Sequence, residues 1–275
     1  MNHTLPALPA TDVPPGDAPA DPSNGTRVLV LVAHPDLRSS RVNRRLLTAV
    51  RALVQGQAAS HIEVRELYGL YPDFDIDVAA EQAAVARADL IVWQHPIQWY
   101  AMPALMKHWL DEVFSHGWAY GSGGQAGVLA GKSLWLVAST GAHEDAYRPG
   151  GYNRYFFDAF LPPYEQTAAL CGLRFLPPLI LHGAHALGAD DLAAHAEVYA
   201  RRLAGWPAPE HWPELEELTD CPSCVVPVDD RPARAHADLR LAVPTDAEAG
   251  TDGDGEAASS GGPSDAAPAR LARAA

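Results

Sequence analysis

Asp89-Leu-Ile-Val-Trp-Gln-His-Pro-Ile-Gln-Trp-Tyr-Ala-Met-Pro103 is the stretch from which the rest of this chain is best read. Its apolar run, Leu90 to Trp93, has the length and β-branched content of a strand buried on both faces. The run is expected to break at Gln94-His95-Pro96 into a loop holding Ile97, Gln98, Trp99 and Tyr100. Pro103 suits the first helical position, where its missing N–H is an orphan donor anyway. The helix that follows places Leu105, Met106, Trp109, Leu110, Val113 and Phe114 on one face, with Lys107 and Asp111 opposite. In a parallel α/β sheet, a loop between such a strand and helix lies at the carboxyl end of the strands, where ligands bind. Its aromatic side chains suit a wide, planar ligand.

The same alternation extends in both directions. Apolar runs at 28–33, 133–138 and 176–181 read as buried strands, and 61–67 alternates like a half-exposed one. Helical stripes appear at 40–54, 78–87, 164–171 and 189–204, the first with Ser40 as its N-cap. The segment 68–77 reads as a loop, and 117–131 is a glycine-rich loop too long for a simple turn. Five βα units predict an α/β, doubly wound, five-stranded parallel sheet in flavodoxin order 2-1-3-4-5.

Composition divides the chain into three. The formal net charge is −14. Residues 1–26 carry −3, residues 207–275 carry five basic against fourteen acidic groups, and 27–206 is nearly neutral at −2. Residues 1–26 are expected to be a disordered N-terminal segment, 27–206 the ligand-binding domain, and 207–275 an acidic, mostly disordered C-terminal tail. A nucleic-acid partner would call for a basic overall balance, so that class is not expected. No run of 18 apolar residues encodes a membrane span. Three cysteines without a regular framework, and no signal peptide, give a cytoplasmic expectation. Cys221-Pro-Ser-Cys224 lacks the βαβ context or second cysteine pair that redox or zinc chemistry needs. His95, His108 and His116 form no metal spacing, so no metal is expected.

Three strand ends should converge. Residues 34–43 feed a helix N-terminus, whose open N–H groups and dipole favour a phosphate. There His34 offers a donor, Ser40 a hydroxyl and Arg41 a charge, beside Val42 and Asn43. The second group is Ile97 to Tyr100, and the third is Ser139, Thr140, Gly141 and Ala142.

Trp93-Gln-His-Pro-Ile-Gln-Trp-Tyr100, followed by Phe114-Ser-His-Gly-Trp-Ala-Tyr-Gly121, closely resembles the NAD(P)H quinone oxidoreductases. Among these, it is most similar to the ancillary proteins of bacterial glutathione-gated potassium-efflux systems. The resemblance spans roughly 27–206. It implies an FMN-dependent (FAD possible) NAD(P)H:quinone oxidoreductase, in which hydride passes through flavin to a quinone in a two-electron ping-pong cycle. The alternative is a regulatory subunit docked on the cytoplasmic face of a transporter. Ala33-His34-Pro35 with Ser40 and Asn43 matches the family's phosphate turn. Ser139-Thr-Gly-Ala142 matches its Thr-Thr-Gly-Gly loop against the flavin ring, with Ala142 departing from glycine. Trp118 and Tyr120 match an aromatic stretch that covers the flavin where nicotinamide and quinone take turns. The resemblance also implies a homodimer with shared active sites, and the apolar face of helix 103–116 is a candidate contributor. His143, Tyr147 and Tyr152 remain open as donors to the reduced flavin, and Trp118, Tyr120 and Tyr152 are the expected catalytic residues.

Overall fold

The computed structural model describes residues 27–56, 59–121, 127–213 and 215. Its elements are β1 (Val28–Val32), α1 (Val42–Gln55), β2 (Ile62–Glu66), α2 (Leu67–Leu70), α3 (Val78–Arg87), β3 (Leu90–Pro96), α4 (Ala104–Val113), β4 (Ser133–Ser139), α5 (Pro162–Cys171), β5 (Arg174–Leu181) and α6 (Ala189–Ala204). The five strands form one sheet in the order β2-β1-β3-β4-β5, and every pairing is parallel. This is the expected doubly wound sheet.

Strand periodicity builds two cores. Leu29, Leu31, Ile91, Trp93, Leu134 and Leu136 face α3, α4 and α5. Val28, Val30, Val32, Val92, Trp135 and Val137 face α1 and α6. Side chains two apart share a sheet face, so one strand feeds both cores.

Four expectations need correction. Strand β3 does not break at Gln94 but pairs with β4 through Gln94, His95 and Pro96. Gln94 and His95 are fully buried, and the ladder that holds them satisfies their backbone groups. The loop expected at 68–77 begins with the single-turn helix α2. Of the six apolar residues on the 103–116 face, Leu105, Met106, Trp109, Val113 and Phe114 are buried within the protomer and Leu110 is half-buried, so that face does not offer the free apolar surface expected of it. Finally, the folded core reaches past residue 206. Trp212 is fully buried, stands edge-on to Trp135 with ring centroids 4.8 Å apart, and donates its indole N–H to the Arg202 carbonyl at 2.8 Å. A tail assignment starting at 207 therefore cuts into the core. Cys221 and Cys224 lie outside the described residues.

Polar anchors fix the remaining layers. Glu81 of α3, fully buried, accepts from Arg65 of β2 at 2.8 Å, Tyr71 at 2.6 Å and the Trp109 indole of α4 at 2.9 Å. A buried carboxylate is tolerated when it is paired in this way.

Two measurements follow from the cores. Trp212→Ala should lower unfolding free energy by about 3–5 kcal/mol, read from urea midpoints; an unchanged midpoint would place Trp212 outside the core. Burial lowers the His95 pKa to about 4, a backbone bond to the Pro96 carbonyl acting the other way. In the unfolded chain the imidazole takes up its proton at about 6.5. The resulting stability is present above that pH and is lost as pH falls towards 4, by up to about 3 kcal/mol. Stability curves for His95→Phe should flatten over this window; a variant as acid-sensitive as the parent would contradict it.

Candidate flavin site at the carboxyl end of the sheet

Because every strand runs the same way, the segments after β1, β3, β4 and β5 meet at one edge. After β1, His34 is buried to 8% exposure. Its Nδ1 accepts the Asp36 N–H at 3.1 Å, which puts the ring proton on Nε2 as a free donor. Burial lowers its pKa and nearby Asp36 opposes this, so the imidazole is neutral at pH 7. Helix α1 starts at Val42, with Arg41 in the formal N-cap position. Ser40 still acts as the cap expected from the sequence, because its Oγ accepts the Asn43 N–H at 3.1 Å. Among the described residues, the N–H groups of Arg41 and Val42 have no acceptor. Open N–H groups at a helix start form an anion site. The Val42 side chain lies in the core, so only its backbone serves the site. The Arg41 guanidinium donates to the carbonyls of His185 and Leu187, both at 2.8 Å. It thereby ties this turn to the segment after β5.

Below the turn lies a buried polar chain that sequence reasoning missed. The Gln94 carboxamide donates to the Asn43 carbonyl at 3.0 Å and accepts the Tyr199 hydroxyl at 3.0 Å. Asn43 Nδ2 donates to Ser139 Oγ at 3.0 Å, while Asn43 Oδ1 is buried without a partner. A serine hydroxyl both donates and accepts. The carboxamide can therefore serve Ser139 either way round, leaving one polar atom open beside the anion site.

The loop after β3 is a tight turn. Gln98 and Ala101 exchange backbone hydrogen bonds of 2.9 and 3.1 Å, and between them Trp99 and Tyr100 have φ of 49° and 64°. Two consecutive positive φ values are the geometry that usually selects Asn-Gly. The left-handed region costs a bulky residue about 1–3 kcal/mol, and such strain clusters at ligand sites. Trp99 is 93% exposed, so packing does not repay it. Tyr100 stacks on Phe160 at 5.2 Å and donates to Asn153 Oδ1 at 3.3 Å.

The Ser139–Ala142 loop is pinned from both sides. Ile97 N–H donates to the Ser139 carbonyl at 2.8 Å, and Thr140 N–H to the Leu181 carbonyl at 3.0 Å. Thr140 Oγ donates to the Ala142 carbonyl at 2.8 Å and contacts His182 Nδ1 at 3.0 Å. With the hydroxyl proton spent, His182 Nδ1–H is the donor in that contact. Ala142 is not among the described non-glycine residues with positive φ, so its replacement of glycine introduces no strain. A Cβ on Gly141 would meet only the His185 ring, at 3.6 Å. The fold thus leaves open space over this backbone, as a flat ligand requires.

Of the three candidate donors, Tyr147 is held in place. It is buried and packs against Phe157 at 5.2 Å and His182 at 5.3 Å. Burial raises its phenol pKa, with Thr140 opposing. Tyr152 is 86% exposed and, among the described residues, makes no hydrogen bond or ring contact. His143 is exposed beside Gly183. Trp118 and Tyr120 are not brought to this edge. They follow α4, which runs back to where β4 starts, and they pack locally on Phe114 and His116. The seven residues of β3 put that end about 20 Å from the three loops.

The strained turn yields a direct test. Asn tolerates the left-handed region, so Trp99→Asn should keep or raise thermal stability, by up to about 1 kcal/mol, while weakening flavin retention. A loss of stability beyond that would show that Trp99 is a packing residue.

A profile of the flavodoxin-like fold matches residues 26–203. The ancillary protein KefF of the glutathione-regulated potassium-efflux system, from Enterobacter sp. (strain 638), is 46% identical over 179 residues, 65% of this chain and 96% of that protein. A solved structure named a thermophilic tryptophan halogenase, from Streptomycin violaceusniger, is 40% identical with a TM-score of 0.57, covering 62% of this chain and 95% of that one. General stress protein 14 of Treponema denticola, solved with FMN, is 37% identical at TM-score 0.56, covering 66% and 97%. An NADPH-quinone reductase from P.pentosaceus is 28% identical at TM-score 0.56, covering 64% and 96%. With its sheet order and loop geometry, this chain belongs to the flavodoxin-like NAD(P)H quinone reductase family.

Proposed function

We propose that this chain is an FMN-dependent NAD(P)H:quinone oxidoreductase, its flavin held by residues 34–43, 97–100 and 139–142. The observation that carries the reading is the anion site at the start of α1, set beside open space over Gly141 and the strained aromatic turn. His34 Nε2, the Ser40 hydroxyl and the N–H groups of Arg41 and Val42 would hold the phosphate. Asn43 sits beneath it with an unpartnered buried oxygen. Trp99, Tyr100, Thr140 and Gly141 would border the ring. Bound flavin would supply the two-electron chemistry, taking hydride from a nicotinamide and delivering it to a quinone. Relatives that carry the names NADPH-quinone reductase and FMN complex support this.

The protein's own contribution is binding, orientation and charge. Tyr147, fixed by Phe157 and His182, is the donor best placed to face negative charge on the ring; Tyr152, exposed, would border the entrance. The two substrates would use one face in turn, so initial-rate lines should be parallel. The sheet topology sets Trp118 and Tyr120 at the far end of their own protomer. We therefore assign them to the site of a second copy in a homodimer.

Complementation tests this arrangement. His34→Ala should lose about one to two decades in flavin affinity, the equivalent of a charge-assisted hydrogen bond of about 1.5–3 kcal/mol. Tyr120→Ala should keep flavin but turn over quinone poorly. Mixed dimers of the two should recover turnover that neither has alone, and no recovery would place Tyr120 in its own protomer's site. Tryptophan with halide, assayed in parallel, separates the activity named for one neighbour from the one proposed.

The 46% identity to a potassium-efflux ancillary protein favours a second role, docking on a transporter. No helix among the described residues is long and apolar enough to cross a membrane, so attachment would come through such a partner. Copurification with a potassium-efflux transporter tests this role independently of turnover.

A further inference from the structure

On the outer side of α1, a stripe of guanidinium groups runs away from the flavin site. Arg38, Arg41, Arg44, Arg45 and Arg51 are all exposed. Arg51 pairs with Glu66. Among the described residues, the other four have no carboxylate within ion-pair distance; Arg44 donates instead to the Arg38 carbonyl at 2.8 Å. Arg44 and Thr48 form a ridge between two grooves. One, of about 550 Å³, is lined by Arg38, Arg51 and the His34–Asp36 turn, with Glu66, the partner of Arg51, at its wall. The other, of about 240 Å³, is lined by Arg41, Arg45 and Leu192. This is a cationic surface on a chain whose net charge is −14.

The complementary charge is in the same chain. Residues 216–275 hold twelve acidic and five basic side chains, a net −7. No basic residue occurs from 241 to 269, where Asp246, Glu248, Asp252, Asp254 and Glu256 cluster among glycines and alanines. In an extended segment, acids two apart lie on one side at about 7 Å, and that side can follow a stripe whose arginines span about 15 Å of helix. The point of departure fits as well. Trp212 and Leu215 pack in the same core as Val42, Leu46, Leu47 and Val50 of α1, so the chain leaves the fold on the layer that bears the stripe. The thirty residues between Leu215 and Asp246 reach up to about 100 Å.

We propose that the arginine face of α1 is a docking surface for the chain's own acidic segment, residues 246–256. A tethered partner acts at millimolar effective concentration. Untethered polyanions must instead approach a protein of strongly negative overall charge.

The test uses the full chain, isotopically labelled, with Cys221→Ser, Cys224→Ser and a spin label on Gly250→Cys. Cys171 is buried and stays unlabelled. At low ionic strength, amide signals of residues 41–52 should be broadened. The broadening should vanish in 0.5 M NaCl, where screening falls to about 4 Å, and in Arg44→Glu/Arg45→Glu. A second variant that makes the five acids amides leaves the folded part untouched and should abolish it too. Broadening absent at low salt, retained in both variants, or equally strong between a labelled and a separate isotopic chain would overturn the proposal. So would phosphatidylglycerol vesicles that bind α1 and release the label at the same salt, since the occupant would then be a lipid surface.

Discussion

The carboxamide of Gln94 is the interaction on which the site depends. It lies fully buried at the last turn of the central strand, where a core otherwise takes a branched apolar residue. An unsatisfied buried amide costs about 1–3 kcal/mol. Here both ends are satisfied, by the Asn43 carbonyl of α1 and the Tyr199 hydroxyl of α6. The penalty for misplacing any partner therefore becomes a positional constraint. Helix α1 is held with its N-terminus over the end of β3, and Asn43 carries the constraint to Ser139 of β4. Three loops from three strands are fixed to one another through two adjacent carboxamides.

With the scaffold fixed, the site can hold strain. Trp99 and Tyr100 occupy a turn suited to Asn-Gly, and Trp99 gives almost its whole side chain to solvent. In a folding-only account that choice has two costs and no return. A flat ligand beside Gly141, as proposed, would supply the return, since aromatic faces buried against it would offset both. Ala142 provides the contrast: its backbone is unstrained, so a methyl group replaces glycine there without penalty.

Much of this was legible in the sequence. Apolar runs of four to six residues and helical stripes gave the strand order and all but one of the longer helices' limits to within two residues. Strand-end reasoning placed His34, Ser40, Asn43, the aromatic turn and Thr140 at one edge of the sheet, and there the structure brings them together. The misses share a cause. Gln94 and His95 look like strand breakers when polarity is equated with exposure, whereas the Tyr199 hydroxyl that meets Gln94 and the Tyr164 ring stacked on His95 lie far along the chain. His182 gave a usable signal, a histidine closing a buried strand as His34 does, yet its bond to Thr140 is tertiary. Trp212 sits in a polar, proline-rich stretch with no periodicity, and its burial rests on tertiary contacts with Trp135, Trp206 and Arg202. Trp118 and Tyr120 were assigned by resemblance to a covering role that their own protomer's topology does not deliver.

The central claim is that the start of α1 holds a flavin phosphate while the Trp99 turn and Gly141 border its ring. A crystal structure of the protein purified with its bound chromophore tests it most directly. The account predicts phosphate oxygens within hydrogen-bond distance of His34 Nε2, Ser40 Oγ and the Val42 N–H, with the isoalloxazine ring between Trp99 and Gly141. A phosphate bound elsewhere, or a ring lying away from these loops, would contradict it.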